Sequence, residues 1–119
     1  MIQDDANAIV ERMRQADVIV FATPIYFYEM CGQMKTLLDR SNPIFPTDYA
    51  FRDIYLVATS ADGDRRSMDG AIKGLQGWVN CFGFARLAGV IYGVGVDKYG
   101  DIQSMPDLLE QARTMGRTI

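Results

Sequence analysis

Three short apolar runs, each followed by a turn and a helical pattern, most constrain the fold of this chain. The runs begin at Val18, Ile54 and Leu87 and consist largely of β-branched and aromatic residues. Such runs are typical of strands that are buried on both faces of a parallel sheet. Amphipathic helical patterns alternate with the runs, so we predict the order α-β-α-β-α-β-α and an α/β domain with helices on the faces of a parallel sheet.

The ends of these elements are predicted by capping residues and by proline. The first strand is expected to end at Thr23-Pro24, because proline has no N–H to donate to a ladder. Ser67 suits the N-cap of the third helix, and Ser104 with Asp107 forms a capping-box-like pair before the last helix. We predict three strands and four helices, the helices lying at about Asp5–Gln15, from Gly32 to near Arg40, over Met68–Phe82 and from Ser104 to Gly116.

Length and composition describe one folded domain over residues 1–119. The chain is 49% hydrophobic and 23% charged, in the range of globular proteins. The formal net charge of -3 and pI of about 4.8 argue against nucleic-acid binding, since no basic stripe is present. No apolar run approaches the roughly 20 residues that cross a bilayer, and the acidic N-terminus does not start like a signal peptide. We therefore expect a cytoplasmic protein that uses neither a membrane nor nucleic acid.

The residue inventory excludes several kinds of active site. The sequence contains no histidine, so catalytic triads and metal sites that depend on histidine cannot form within it. Cys31 and Cys81 are the only cysteines, and reduced thiols are the expectation for this compartment. We predict no metal site and no catalytic side chain, and an enzyme of this composition would depend on a cofactor.

The predicted binding site lies where the first two strands end. Ligands of open parallel sheets bind outside the carboxyl ends of the strands. The first strand leads into an aromatic loop, and the second leads into a small polar turn whose backbone N–H groups a ligand can approach. The candidate site residues are Thr23, Pro24, Ile25, Tyr26, Phe27 and Tyr28 in the first segment and Thr59, Ser60, Ala61, Asp62 and Gly63 in the second.

Two neighbouring features have alternative interpretations. The aromatic residues between Phe45 and Phe51 either cover the core or form a lid over a ligand. Cys31 is either a buried structural cysteine or a redox-active thiol beside the site.

Several segments together resemble the flavodoxin-like NADPH-dependent FMN reductases, including their iron–sulfur flavoprotein branch. The most specific block is Thr23-Pro24-Ile25-Tyr26-Phe27, continued by Gly32-Gln33-Met34-Lys35 and Asp39-Arg40. The turn 59–63 and the segments 68–70, 74–78, 87–90 and 100–102 also resemble this family, so the resemblance extends over nearly the whole chain.

The resemblance implies a flavodoxin-like three-layer sandwich, a cofactor and a reaction. Residues 24–28 would border the isoalloxazine ring of FMN, with backbone N–H groups on its polar edge and Tyr26 or Phe27 against the ring. Residues 59–63 would close the other side. An FMN-dependent NAD(P)H oxidoreductase would transfer hydride from NAD(P)H to FMN and on to a small-molecule acceptor.

The first strand and the phosphate-binding loop of this family have no counterpart in residues 1–119. The chain resembles the last three of five strands in the order 2-1-3-4-5, an N-terminally truncated, incomplete C-terminal part of the domain. The strand at Val18 would then present an exposed apolar edge, which favours a homodimer or larger homo-oligomer. The chain is thus a fragment, or is completed by partner chains, or binds no flavin. The alternative functions are a cofactor-free interaction module and a flavodoxin-like electron carrier.

Overall fold

Three neighbouring parallel strands form the centre of the chain. The computed structural model describes residues 2–119. Within that range it has four α-helices and four strands. The helices are α1 (Asp5–Gln15), α2 (Gly32–Arg40), α3 (Asp69–Asn80) and α4 (Pro106–Thr118), and the strands are β1 (Val18–Tyr26), β2 (Glu29–Met30), β3 (Asp53–Ser60) and β4 (Arg86–Val94).

The sheet has the order β2-β1-β3-β4. Strands β1, β3 and β4 are parallel, and β2 is a two-residue strand antiparallel to the end of β1. This arrangement confirms the predicted α/β, flavodoxin-like architecture with three adjacent parallel strands. Strand β2 was not predicted, because two residues are too short to show any periodicity. Residues 18–24 of β1 pair with β3 on one side only.

Two predictions about β1 are wrong. The strand does not end at Thr23-Pro24 but continues to Tyr26, with Pro24 opposite Thr59. Proline is tolerated there because β1 has a free edge along residues 18–24, where a missing N–H costs no ladder partner. Nor is β1 buried on both faces: Ile19 and Phe21 are buried, whereas Val20 between them is 47% exposed.

The uneven burial of β1 follows from the positions of the helices. Phe21 packs edge-to-face on Trp78 of α3, with ring centroids 5.5 Å apart. On the opposite face of the sheet, α4 packs mainly on β4 and does not extend over β1. There Met115 lies against Gly89. The face of β1 that carries Val20 therefore remains open.

Two aromatic residues of the connection before β3, Tyr49 and Phe51, pack in the core, whereas Phe45 is 53% exposed. Tyr49 stacks on Phe51, and Phe51 packs on Phe82, with centroid distances of 4.6 and 5.0 Å. Phe51 lies two residues before β3, at the amino end of the sheet. For Tyr49 and Phe51 the structure supports core packing, and their rings lie at the end of the sheet opposite the candidate site.

Both predicted serine caps are wrong. Ser67 lies in a 3₁₀ turn, Arg65–Met68, that is capped by Asp64, and its buried hydroxyl donates to Ser60 Oγ at 3.0 Å. Ser104 Oγ donates to the carbonyl of Asp101, and α4 begins two residues later without a side-chain cap. The Ser67 hydroxyl bonds back to the end of β3, and the Ser104 hydroxyl bonds within the preceding turn, so neither serine caps the helix that follows. Helix α4 also extends two residues beyond the predicted end at Gly116.

Within residues 2–119, none of the helices combines the length and the apolar character that crossing a bilayer requires.

Candidate functional site

The aromatic segment after β1 is a tight hairpin. Ile25 pairs with Met30 and Tyr26 with Glu29, which leaves Phe27 and Tyr28 as a two-residue loop. Both loop residues have positive φ angles, 50° for Phe27 and 64° for Tyr28. This is the pattern of a type I′ turn, which usually contains asparagine or glycine. Two bulky aromatic residues in this region cost backbone energy, and such outliers concentrate at functional sites.

The hairpin presents its aromatic side chains to solvent. Phe27 is 100% exposed, and Tyr26 and Tyr28 are each more than half exposed. In contrast, Thr23 is almost fully buried, and its hydroxyl links two backbone groups. Thr23 Oγ1 accepts from the N–H of Cys31 at 3.0 Å and donates to the carbonyl of Pro24 at 2.7 Å. Thr23 therefore holds the base of the hairpin and is not one of its exposed groups.

The second predicted segment forms the turn at the end of β3. Ala61, Asp62 and Gly63 are exposed, whereas Ser60 is buried and bonded to Ser67. Asp62 Oδ1 accepts from the N–H of Asp64 at 2.8 Å, which tightens the turn. Thr59, the remaining predicted residue, is half-buried within β3. In each segment a buried, hydrogen-bonded hydroxyl group lies next to the exposed residues: that of Thr23 in the first and that of Ser60 in the second.

The two segments meet at the carboxyl edge of the sheet. The hydroxyl of Tyr28 lies 3.4 Å from Asp62 Oδ2, a long hydrogen bond that joins the hairpin to the turn after β3. The structure therefore brings together the two segments that the sequence singled out. Pro24 and Ile25, both half-buried, connect the base of the hairpin to its tip.

A third segment, which sequence reasoning missed, completes this edge. The N–H of Gly95 donates to the carbonyl of Asp62, and the N–H of Val96 donates to the carbonyl of Ser60, at 3.1 and 2.8 Å. Gly95 and Gly100 both have positive φ angles. The spacing of Gly95 and Gly100 does not match the G-x-G-x-x-G fingerprint of dinucleotide-binding loops. The signal was a turn with two glycines directly after the third strand.

The main polar groups of the site are backbone N–H donors. Among residues 2–119, no protein acceptor receives the N–H groups of Phe27, Tyr28, Ala61, Asp62 or Gly63. A Cβ atom built on Gly63 would have no neighbouring atom within 4 Å, so a ligand can approach this turn. A flat ligand with acceptor atoms along one edge and an aromatic face would match these donors and rings.

Cys31 lies directly below the hairpin, at the N-cap of α2. Its pKa is lowered from that of an ordinary thiol, chiefly by a hydrogen bond from Thr23 and also by the backbone N–H groups of Met34 and Gln33. The single hydroxyl hydrogen of Thr23 points either to Pro24 O or to this sulfur. Cys31 is half-buried, and both it and Cys81 are free thiols.

Comparison with known proteins identifies the family. The model of the NADPH-dependent FMN reductases matches residues 1–97. A Bacillus subtilis protein provisionally named as an NAD(P)H-dependent FMN-containing oxidoreductase is 32% identical over an alignment of 114 positions, which covers 85% of this chain and 59% of that protein. An iron–sulfur flavoprotein of Methanosarcina thermophila is 32% identical over 84 residues, which are 70% of this chain and 44% of that protein.

A solved structure shows the same fold. The Trp repressor binding protein from Bacillus subtilis superposes with a TM-score of 0.71 at 24% identity, over 84% of this chain and 68% of that one. The chain spans 59% or less of the length of the two curated relatives above. From the match over residues 1–97 and the shared fold, the chain belongs to the family of NADPH-dependent FMN reductases.

Proposed function

We propose that this chain contributes the flavin-edge site of a cytoplasmic, FMN-dependent NAD(P)H oxidoreductase. The observation that carries the proposal is the meeting of the Phe27–Tyr28 turn and the Ala61–Gly63 turn at the carboxyl edge of the parallel sheet. Family membership supports the same cofactor and the same class of electron donor.

The residues present fit the isoalloxazine part of FMN. Its pyrimidine edge is rich in acceptors, and the exposed N–H groups of Phe27, Tyr28, Ala61, Asp62 and Gly63 would donate to it. The ring of Phe27 or Tyr26 would pack against its face. Bound FMN supplies hydride and electron transfer between a nicotinamide cofactor and a small-molecule acceptor.

The protein's own contribution is orientation. Thr23 fixes the hairpin to the N-terminus of α2, and Ser60 fixes the second turn to Ser67, so both turns are anchored before a ligand arrives. The Tyr28 hydroxyl joins them across the site. Preorganised donors of this kind orient a ring without a reorganisation cost at the moment of reaction.

The phosphate of FMN needs a separate cradle. Residues 2–17 contain α1 and no glycine, and the structure offers no Ser/Thr/Gly-rich loop ahead of β1. We propose that residues outside this sequence hold the phosphate, in a longer polypeptide or in a partner chain.

We also propose self-association, as a homodimer or larger assembly. The edge of β1 over residues 18–24 pairs on one side only, and Val20 is exposed beside it. Unpaired apolar edges promote pairing between chains. A light-scattering mass of one chain at micromolar concentration would contradict this part of the proposal.

Oxidation of NADPH or NADH with a quinone acceptor tests the activity. We expect oxidation that requires both the protein and FMN and exceeds the rate with free FMN alone. The variant Phe27→Ala should lose most of it, whereas Phe84→Ala should not. Phe84 is the matched control, because it is also a largely exposed phenylalanine (74%) but lies beside the start of β4, at the other end of the sheet. Equal rates with and without protein would refute the activity.

A further inference from the structure

The first turn of α3 lies against the backbone of the hairpin. A Cβ atom built on Gly70 would lie 2.4 Å from the carbonyl oxygen of Tyr28. Real Cβ atoms essentially never come within 3.0 Å of another heavy atom, so a side chain at this position must displace something. The obstructing atom is backbone and belongs to the strained turn, so it cannot rotate away as the end of a side chain can.

The three glycines of α3 differ in what they face. A Cβ on Gly74 would lie 3.0 Å from Met30 Cε, the flexible end of a side chain in β2. A Cβ on Gly77 would meet nothing within 4 Å. The contact with the hairpin therefore weakens along the helix: Gly70 faces a backbone atom, Gly74 faces a flexible side chain, and Gly77 faces no atom of the hairpin.

We propose that Gly70 is a positioning residue for the flavin-binding turn, an inference that rests on the proposed function. By lacking a side chain, Gly70 lets the Tyr28 carbonyl settle on α3. This contact determines the position of the Phe27 and Tyr28 N–H groups at the carboxyl edge of the sheet. Tyr28 is then fixed from below by Gly70 and from across the site by Asp62.

A methyl group at position 70 would force a displacement of the same order as the tolerance of a binding site. Alanine at position 70 must increase the separation from 2.4 Å to at least 3.0 Å. Binding constellations lose function when their groups move by more than about 0.5 Å. The turn carries two of the five free N–H donors, so its movement would misalign part of the donor set.

Three single substitutions test the proposal: Gly70→Ala, Gly74→Ala and Gly77→Ala. The first readout is hydrogen exchange of the segment 25–31 in the flavin-free protein. The second is FMN affinity, with the absorption spectrum of the bound flavin. We expect Gly70→Ala to accelerate exchange in this segment, to weaken FMN binding about ten-fold or more, and to shift the flavin spectrum. Gly74→Ala should have a small effect, and Gly77→Ala should leave both readouts unchanged.

Gly77→Ala controls for the helix itself, since alanine favours helices and should raise the thermal midpoint. Exchange or FMN affinity in Gly70→Ala that matches Gly77→Ala would overturn the proposal. An unfolded Gly70→Ala protein would also overturn it, because Gly70 would then be required for the fold and not for the position of the turn. Exchange is measured without flavin, so a parent protein that binds no FMN would count against the proposed function and not against this contact.

Discussion

At the scale of single residues, the least typical feature is the pair of aromatic side chains with positive φ angles. A strand followed by an aromatic segment was predictable from the sequence, and the binding site at this position stays a prediction. The hairpin was not predictable, because Phe27-Tyr28 carries none of the Asn-Gly or Asp-Gly signal by which type I′ turns are recognised. Tertiary contacts from Gly70 and Asp62 hold a turn that local preferences disfavour.

The substitution Phe27→Asn separates the stability of the turn from its proposed ligand contact. Asparagine accepts positive φ, and the Phe27 side chain is fully exposed, so the unfolding free energy should stay the same or rise by up to about 1 kcal/mol. Loss of an aromatic contact should weaken FMN binding by about three- to ten-fold. Urea denaturation and FMN titration measure the two effects. An unchanged FMN affinity would show that the Phe27 side chain does not contact the isoalloxazine ring.

Cys31 gives a prediction that depends on pH. Its pKa is lowered, so the thiolate forms at lower pH than in a free cysteine, whose pKa is about 8.5. Alkylation by iodoacetamide, followed at the Cys31 peptide by mass spectrometry, should therefore rise at a pH below that value. Thr23→Val removes the largest cause of the shift and should move the rise to higher pH. A profile that Thr23→Val does not move would show that Thr23 is not the cause.

At the scale of secondary-structure elements, β1 and β3 differ in how completely they are covered. The apolar runs predicted both strands correctly but could not show that one face of β1 is open, because a run of apolar residues reads the same whether or not a helix covers it. Leu56 of β3 is fully buried, whereas Val20 of β1 is half-exposed.

Alanine substitutions at these two positions should have very different costs. Leu56→Ala should lower the unfolding free energy by about 2–5 kcal/mol, because it leaves a cavity in the core. Val20→Ala should cost less than about 1 kcal/mol, as surface substitutions do. Urea denaturation measures both. Similar losses for the two variants would show that the open face of β1 is covered in solution.

The helix boundaries show which local signals were reliable. Helix α1 has the predicted bounds, Asp5 and Gln15, and the side chain of Asp4 caps it by accepting from the N–H of Ala6. Helix α3 begins at Asp69, one residue later than predicted, and the Ser67 hydroxyl is bonded to Ser60 at the end of β3 instead of capping the helix. A tertiary hydrogen bond of this kind leaves no periodic signal in the sequence near Ser67.

At the scale of the whole molecule, topology determined where the site would be. Parallel strands place their carboxyl ends on one edge, so the segments after β1 and β3 were expected to meet there, and they do. The contribution of Gly95 and Val96 was not expected, since it depends on backbone hydrogen bonds to Ser60 and Asp62. The open edge of β1 was expected from the strand order, and the structure confirms it.

The proposed flavin site is tested by quenching of FMN fluorescence by the purified chain, together with the mass of the complex from light scattering. We expect saturable quenching, because we propose that the two turns contact the isoalloxazine ring, and a complex heavier than one chain, because we propose that a partner chain completes the site. Saturation should weaken in Phe27→Asn and in Gly70→Ala but not in Gly77→Ala. A folded chain that does not quench FMN at any concentration below its solubility limit would show that the two turns do not form a flavin site.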